Sequence, residues 1–176
     1  FMFFLGWYMV EIPKDAPKSL SFDLFNLGIY SWDLFKETSP RSFYFNLHKS
    51  VGVSLVVLII FRIIWRFTHK PPALLDSMKS WEKKLATGAH HGLYFLMFAT
   101  PVAGIIMSIS SKYGIKWFGI ELIGGFDNKA ARELFLQFHQ IFGQLILLIL
   151  LFHTLGALKH SLIEKDGTLR RMWFHK

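Results

Sequence analysis

The sequence predicts an all-α integral membrane protein, a four-helix bundle whose first helix is truncated at its N-terminal end. Of the 176 residues, 52% are hydrophobic and 18% are charged. A hydrocarbon core about 30 Å thick requires roughly 20 apolar residues in a helix. Three stretches reach or approach that length, and they extend over residues 43–65, 91–109 and 134–158. Each is predicted to be a transmembrane helix.

The remaining span is predicted from FMFFLGWYMV at residues 1–10. Ten residues cover only about half of a bilayer core at about 1.5 Å per residue. Because position 1 is Phe rather than an initiator Met, we expect the beginning of this helix to lie upstream of Phe1. A signal peptide is not indicated, since neither a basic start nor a small-residue cleavage site is visible.

The connections between the spans are short, so residues 1–176 are interpreted as a single transmembrane domain. Aromatic and apolar residues mix with few charges in SFDLFNLGIYSWDLF at 21–35, which is a candidate for a short interfacial helix. Pro71 and Pro72 end the extension of the second helix, because proline cannot continue a helix.

The distribution of Lys and Arg predicts the orientation. The segment 62–91 carries six basic residues against two acidic ones, and the tail from Lys159 carries five against two. The connections 11–45 and 110–133 are nearly balanced, with four basic against five acidic and four against three. Basic connections stay in the cytoplasm, which places both termini on the cytoplasmic side of the membrane. Topology thus explains the net charge of +8, and no nucleic-acid partner is expected.

The chain contains no cysteine. Disulfides, thiolate metal sites, iron–sulfur clusters and thioether-attached haem therefore cannot be built from it. Eight histidines remain as strong nitrogen ligands.

Two histidines are predicted to lie at the same depth near the outer ends of their helices, His48 in the second and His139 in the fourth. Polar rings in lipid need a partner, and two imidazoles at one level can clamp an iron porphyrin from both sides. Such a haem is suited to electron transfer, because no axial position is left for dioxygen. Gly52 follows His48 by four residues in HKSVG, and Gly143 follows His139 by four in HQIFG. Each glycine lies one turn further on the same face, where a porphyrin could press against the backbone.

These residues also have structural explanations. A single histidine at a helix end commonly bonds lipid or backbone groups, and glycines let membrane helices approach closely. The same HxxxG pattern on two helices at matched depth favours haem ligation by His48 and His139 over these alternatives.

A third histidine, His153, lies fourteen residues after His139, about 21 Å further along the helix and on nearly the same face. The sequence offers no obvious partner for it at its own level. The candidates are the missing start of the first helix, and His90 or His91 at the inner start of the third. Both of these histidines also fit ordinary cytoplasmic helix-end positions.

Other polar residues near this level receive different roles. Arg62 lies fourteen residues after His48 and is expected to pair with a haem propionate or, alternatively, with a lipid phosphate. His160 lies past the apolar run and is expected to be solvated. His69 and His175 are interpreted as loop and tail residues.

At these residues the sequence resembles the four-helix prokaryotic cytochrome b561 family and, within it, the superoxide oxidases. The resemblance covers nearly the whole chain: it rests on HKSVG and RIIWR in the second helix, ATPVAG in the third, KWFGIEL after it, HQIFG and FHTLGALKH in the fourth, and KDGTLRRM in the tail. It implies two haems b, the outer one held by His48 and His139. The inner one would take His153 and a histidine just upstream of Phe1. If the chain begins at Phe1, either His90 or His91 substitutes or only one haem binds.

The resemblance further implies an oxidoreductase of the bacterial inner membrane in which superoxide at the outer face is oxidised to dioxygen and ubiquinone is reduced. Lys49, adjacent to His48, is the candidate for steering superoxide towards the site. Other cations near the outer helix ends are nearly cancelled by neighbouring acids; they are Lys112, Lys116, Lys129 and Arg132. Trp117 and Phe118 could flank a quinone ring, but aromatic belts are a commoner reason for such residues, so no quinone ligand is assigned.

Two alternatives to this function remain open. One is a haem-bearing membrane subunit that relays electrons between a partner dehydrogenase or hydrogenase and the quinone pool. The other is a structural membrane protein without haem.

Overall fold

The structure, a computed structural model, describes residues 1–12, 40–69 and 73–166. These residues form four α-helices: α1 (Met2–Glu11), α2 (Pro40–Thr68), α3 (Ser80–Ile109) and α4 (Lys129–Lys159). Between α3 and α4 the chain forms two strands, β1 (Ile115–Trp117) and β2 (Ile120–Ile123), and a π-helical turn (His160–Glu164) follows α4. The predicted interfacial helix at 21–35 and the pair Pro71 and Pro72 lie outside the described residues.

The mainly α-helical membrane class is confirmed. The helices α2, α3 and α4 are long and apolar enough to cross a membrane, whereas α1 has only ten residues. The three long helices extend beyond the predicted spans, most of all α3, which begins at Ser80 rather than at 91. Its first turns, SWEKK, are helical without being apolar, so hydrophobicity alone could not locate them. Among the described residues there are thus three helices of spanning length and one short helix, and their arrangement as a four-helix bundle stays a prediction.

Capping interactions explain where the helices begin and end. The Arg41 guanidinium donates to the carbonyl oxygens of Ile12 at 2.7 Å and Val10 at 3.3 Å, at the C-terminal end of α1. At the start of α3, Glu82 accepts the backbone N–H of Lys79 at 2.9 Å, as an acidic residue in the third helical position often does. These contacts satisfy backbone groups that a helix end leaves without an intrahelical partner.

The start of α4 is capped by Asn128, whose side-chain oxygen accepts the N–H of Ala131 at 3.1 Å. Asparagine is among the residues preferred at this position. Pro101 lies inside α3 and lacks the N–H that would bond the carbonyl of Met97.

The chain divides into two compact units. The first comprises Phe1–Leu58 and Pro101–His139, and its core is the buried cluster of Leu5, Ile12, Phe43 and Tyr44. The second comprises Ile59–Thr100 and Gln140–Lys176. Its described part contains buried Leu96 and an ion-pair network at the start of α3. The interpretation of 1–176 as one domain stays a prediction.

The antiparallel hairpin of β1 and β2 belongs to the first unit and was not predicted. Its turn residues Phe118 and Gly119 both have positive φ, 45° and 91°, as two-residue turns that match the twist of a hairpin require. Gly114 precedes β1 with φ 59°, and a Cβ atom there would overlap the carbonyl oxygen of Ile123. Glycine is therefore needed at the point where the chain enters the hairpin.

Candidate functional site

Two imidazoles, one from α2 and one from α4, face each other in the first unit. The ring centroids of His48 and His139 are 6.0 Å apart, and the ring planes are nearly perpendicular at 83°. Both side chains are half-buried. The two histidines that the sequence places at one level are adjacent in space.

Each ring of this pair lies against a glycine of another helix. A Cβ atom built on Gly104 of α3 would lie 2.9 Å from both Nδ1 and Cε1 of His139, closer than real Cβ atoms come. A Cβ atom built on Gly6 of α1 would lie 3.3 Å from Cε1 of His48, which is tighter than nearly all real contacts. Glycine at these two positions provides the space that the imidazoles occupy.

The separation of the rings fits two ligands on opposite sides of one metal ion. A bond between a metal and an imidazole nitrogen is about 2 Å long, and the nitrogen lies about 1 Å from the ring centroid. Two imidazoles in trans positions therefore have centroids roughly 6 Å apart. Perpendicular planes are compatible with this arrangement, because each ring can rotate about its own bond to the metal.

A buried polar atom at this site lacks a protein partner. Nδ1 of His48 is buried and has no hydrogen bond within the part of the chain that the structure describes. A buried polar group without a partner is unfavourable by about 1–3 kcal/mol. The site is therefore of the kind that a bound group completes.

The glycines predicted to make room for a cofactor lie elsewhere. A Cβ atom on Gly52 would meet Cε of Met2 at 3.9 Å, and Gly143 is buried in α4. Their proposed role stays a prediction. Sequence reasoning missed Gly6 and Gly104 because they come from different helices than the histidines they contact, and spacing within one helix cannot reveal them.

A second pair of imidazoles lies in the second unit. The ring centroids of His153 and His90 are 5.0 Å apart, with an interplanar angle of 60°. Nδ1 of His91 instead lies 2.9 Å from the carbonyl oxygen of Thr87 in its own helix. Of the two alternatives in α3, the structure therefore brings His90 beside His153. Their separation is about 1 Å shorter than trans ligation of one metal requires.

Two arginines of α2 lie against the ring of Tyr94 in α3. The guanidinium carbon is 5.9 Å from the ring centroid for Arg62 and 5.7 Å for Arg66, within the range of cation–π contacts. Tyr94 lies one helical turn after His90, on the same face of α3. Cationic groups are thus present in the unit that contains His153, and the pairing of Arg62 with a propionate stays a prediction.

The prediction for His160 was wrong, because this residue is 5% exposed rather than solvated. Its Nδ1 lies 2.6 Å from Oε2 of Glu164 and 2.7 Å from Oδ2 of Asp166. The chain continues past the apolar run as a π-helical turn that brings both carboxylates to the ring. The end of an apolar run therefore did not mark the end of burial.

The neighbouring Lys159 joins the end of α4 to the start of α3. Its ammonium is bonded to the carboxylates of Glu82 and Glu164 and lies 5.7 Å from the centroid of the Trp81 ring. Glu82, His160 and Glu164 have ligand atoms within 4.8 Å of one another. Because the Lys159 ammonium already neutralises two of these groups, we interpret the cluster as a structural ion-pair network.

Lys49 has a structural contact as well as its predicted role. Its Nζ donates to the carbonyl oxygen of Gly114 at 3.1 Å, and its side chain is half-buried. Steering of an anion by Lys49 stays a prediction. The other cations predicted near this end are all exposed: Lys112, Lys116, Lys129 and Arg132.

The aromatic pair of the hairpin turn is partly exposed. The ring centroids of Trp117 and Phe118 are 5.6 Å apart, and Trp117 donates its ring N–H to Oγ of Ser54 at 3.0 Å. This contact fixes the indole on α2. No contact of the pair with a quinone is implied by the geometry.

Long apolar helices that carry paired, partly buried histidines are typical of membrane cytochromes. The chain belongs to the prokaryotic cytochrome b561 family, whose model matches residues 1–175. This confirms the family resemblance drawn from the sequence.

Individual relatives agree with this membership. The chain is 31% identical over 129 residues to cytochrome b561 homolog 2 of Escherichia coli K12, covering 72% of this chain and 68% of the relative. It is 27% identical over 127 residues to cytochrome b561 homolog 1 of the same organism, covering 71% and 72%. A third relative, named probable superoxide oxidase CybB, from Yersinia pestis, is 28% identical over 129 residues, with 72% of each chain covered.

Membership of this family establishes three general properties. The protein is a multi-pass bacterial membrane protein, in keeping with its three spanning helices. It is a b-type cytochrome, and its role is electron transfer.

Proposed function

We propose that His48 and His139 would hold a haem b between them, each through an imidazole nitrogen. The observation that carries this proposal is the 6.0 Å separation of the two rings across α2 and α4. Trans ligation of one metal requires roughly this distance. Gly104 and Gly6 support the proposal, since they leave space for the rings.

A haem held in this way would supply one-electron transfer chemistry at the site. The residues of the chain hold the two imidazoles at a fixed separation. Packing against Gly6 and Gly104 orients the rings, and the apolar helices exclude water.

We further propose that His153 would help to hold a second haem b. The other ligand is a histidine supplied from outside residues 1–176, or His90. The 5.0 Å separation of His90 and His153 favours the first alternative, because the rings would have to move apart by about 1 Å to ligate one metal in trans. Arg62 and Arg66 would then offer guanidinium groups for haem propionates.

For the overall reaction we propose that two superoxide anions and two protons reduce one ubiquinone to ubiquinol, with release of two molecules of dioxygen. The relative from Yersinia pestis, named probable superoxide oxidase, supports superoxide as the electron donor in this proposal. Lys49, adjacent to His48, would raise the rate of encounter with a small anion. In this proposal the protein lies in the inner membrane with both termini in the cytoplasm, as the basic connections favour.

Haem content tests the ligand assignment. The wild-type protein should show a Soret band, and pyridine haemochrome quantification should give two haems per chain. His48→Ala and His139→Ala should each remove one haem, whereas His69→Ala, an exposed position at the end of α2, should remove none. Wild-type haem content in either ligand variant would overturn the assignment.

The reaction is tested with the purified protein alone. Rapid reduction by a superoxide-generating system, followed by transfer to a soluble ubiquinone, would support the proposed activity. If reduction instead requires a soluble redox subunit that forms a stable complex with the chain, the function is that of a relay between a partner dehydrogenase or hydrogenase and the quinone pool.

A further inference from the structure

The hairpin of β1 and β2 docks on a part of α2 that lies well inside the predicted bilayer. Ser54 is at the middle of the spanning segment Arg41–Thr68, and residues 50–61 of that segment carry no charge. Ser50 lies one turn before Ser54, about 6 Å nearer the His48 end of the helix. Basic residues occur on both sides of this uncharged stretch, which centres it in the membrane.

Two serines of α2 bond the turn of the hairpin. Ser50 is 1% exposed; its hydroxyl donates to the carbonyl of Asn46 at 2.8 Å and accepts the backbone N–H of Phe118 at 2.9 Å. Ser54 donates to the carbonyl of Ser50 at 3.1 Å and accepts the ring N–H of Trp117 at 3.0 Å. Each hydroxyl thus bonds its own helix and the hairpin at the same time.

A third contact holds the start of the hairpin. The carbonyl oxygen of Gly114 accepts from Nζ of Lys49 at 3.1 Å and from Oγ of Ser108 at 3.1 Å.

Ser50 and Ser54 lie about 200° and 240° around α2 from His48, at 100° per residue. The hairpin therefore packs on the side of α2 that points away from His48.

These contacts fix the depth of the turn. Half of the hydrocarbon core is about 15 Å thick, so a backbone N–H bonded to Ser50 lies several ångströms below the membrane surface. Non-helical backbone is tolerated at such depth only where its polar groups are satisfied by protein. The serines of α2 and the ladder between β1 and β2 supply these partners.

The exposed side chains of the hairpin are mainly apolar. The fractional exposure is 40% for Trp117, 39% for Phe118, 59% for Ile120 and 45% for Ile123. Its two charged residues, Lys116 and Glu121, are cross-strand neighbours of opposite sign, which reduces the penalty of placing them near lipid.

We propose that this hairpin is a re-entrant membrane element whose exposed apolar side chains contact lipid acyl chains in the leaflet on the side of His48. The helix on which the hairpin packs, α2, also has exposed apolar residues, such as Val57 and Leu58, and is long and apolar enough to span the membrane. Lipid is therefore the occupant that this surface fits, and the inference does not depend on haem or on the substrates.

The chain has no cysteine, so single cysteines can be introduced and labelled without further changes. We would place a nitroxide at Ile120→Cys and at Ile123→Cys in liposomes and measure its collisions with oxygen and with a water-soluble nickel chelate. Phe98→Cys, at an exposed position of the apolar helix α3, serves as the lipid reference, and Lys165→Cys, at an exposed position after the π-helical turn, as the aqueous reference.

Labels on the hairpin should resemble the label at position 98, with high oxygen and low nickel accessibility. The label at 120 should also lie deeper than that at 123, because β2 leads away from the turn at about 3.3 Å per residue. High nickel accessibility would place the hairpin in water, and low accessibility to both reagents would mean that protein covers it. Either result would overturn the proposal.

Size-exclusion chromatography and circular dichroism establish folding of each labelled variant. If Ile120→Cys fails this check, Leu122→Cys provides a second exposed position in the same strand.

Discussion

Substituting Gly104 by alanine should weaken haem binding at the His48–His139 pair. The added Cβ atom would lie 2.9 Å from Nδ1 and Cε1 of His139, whereas ordinary contacts begin at 3.4 Å. The ring must therefore move by about 0.5 Å, or the helices must separate by that amount. Overpacking of this kind is unfavourable by about 1–3 kcal/mol.

This free energy predicts a measurable loss of affinity. Since about 1.4 kcal/mol corresponds to a tenfold change, Gly104→Ala should weaken binding roughly 5- to 150-fold. Gly6→Ala should have a smaller effect, because its Cβ atom would lie 3.3 Å from Cε1 of His48, only 0.1 Å below the 3.4 Å of an ordinary contact. Gly88→Ala is the matched control: it lies in the same helix as Gly104, and a Cβ atom there meets nothing within 4 Å.

The measurement is the transfer of haem from the purified variants to excess apomyoglobin, followed at the Soret band. Haem should be lost fastest from Gly104→Ala and more slowly from Gly6→Ala. Gly88→Ala and the wild type should lose it slowest and at the same rate. Electron paramagnetic resonance of the oxidised protein would report the altered ligand geometry separately. If folded Gly104→Ala retains haem as the wild type does, or if Gly88→Ala loses as much, the packing argument is refuted.

Three further predictions concern other parts of the molecule. His153→Ala should remove one haem and leave the spectrum of the haem at His48 and His139 unchanged, as pyridine haemochrome quantification and the optical spectrum would show. Loss of both haems would mean that the two sites are not independent. Lys49→Glu should slow reduction of the protein by superoxide more than Lys49→Gln does, and the difference should be largest at low ionic strength. Both variants lose the hydrogen bond to Gly114, but only the glutamate repels the anion. Equal rates for the two variants would show that charge at this position does not affect the reaction. Glu82→Gln should lower the thermal midpoint, since the Lys159 ammonium loses one of its two carboxylates, whereas Asp76→Asn should not, because its contact with Lys83 is a 3.8 Å surface pair.

The membrane class and three of the helices were predictable because apolar run length is a property of the sequence itself. Helix ends were less predictable, as α3 shows: its first turns are charged and are held by the cap between Glu82 and Lys79. The hairpin was missed because its stability comes from contacts with Ser50 and Ser54 of a distant helix. The sequence of the hairpin itself does not indicate which distant residues will bond it.

The histidine pairs also combine a feature that the sequence predicts with one that only the tertiary structure decides. Helical spacing and matched depth were enough to select His48 and His139, which the structure places 6.0 Å apart. Spacing could not select between His90 and His91, because adjacent residues differ by 100° around the helix and only packing decides which one meets His153. His160 was assigned to solvent because the charged residues that bury it follow the apolar run.

The sequence by itself determined that the chain crosses a membrane, that histidine is its only strong nitrogen ligand, and which two histidines share a level. Periodicity and hydrophobicity determine these features because they act within one helix. Only the tertiary structure decided which glycines lie against the imidazole rings and which carbonyl oxygen accepts the hydrogen bond from Lys49. It also decided that the hairpin packs on α2 at Ser50 and Ser54. Each of these depends on contacts between helices, whose relative placement is set by side-chain packing and by the pairing of buried polar groups.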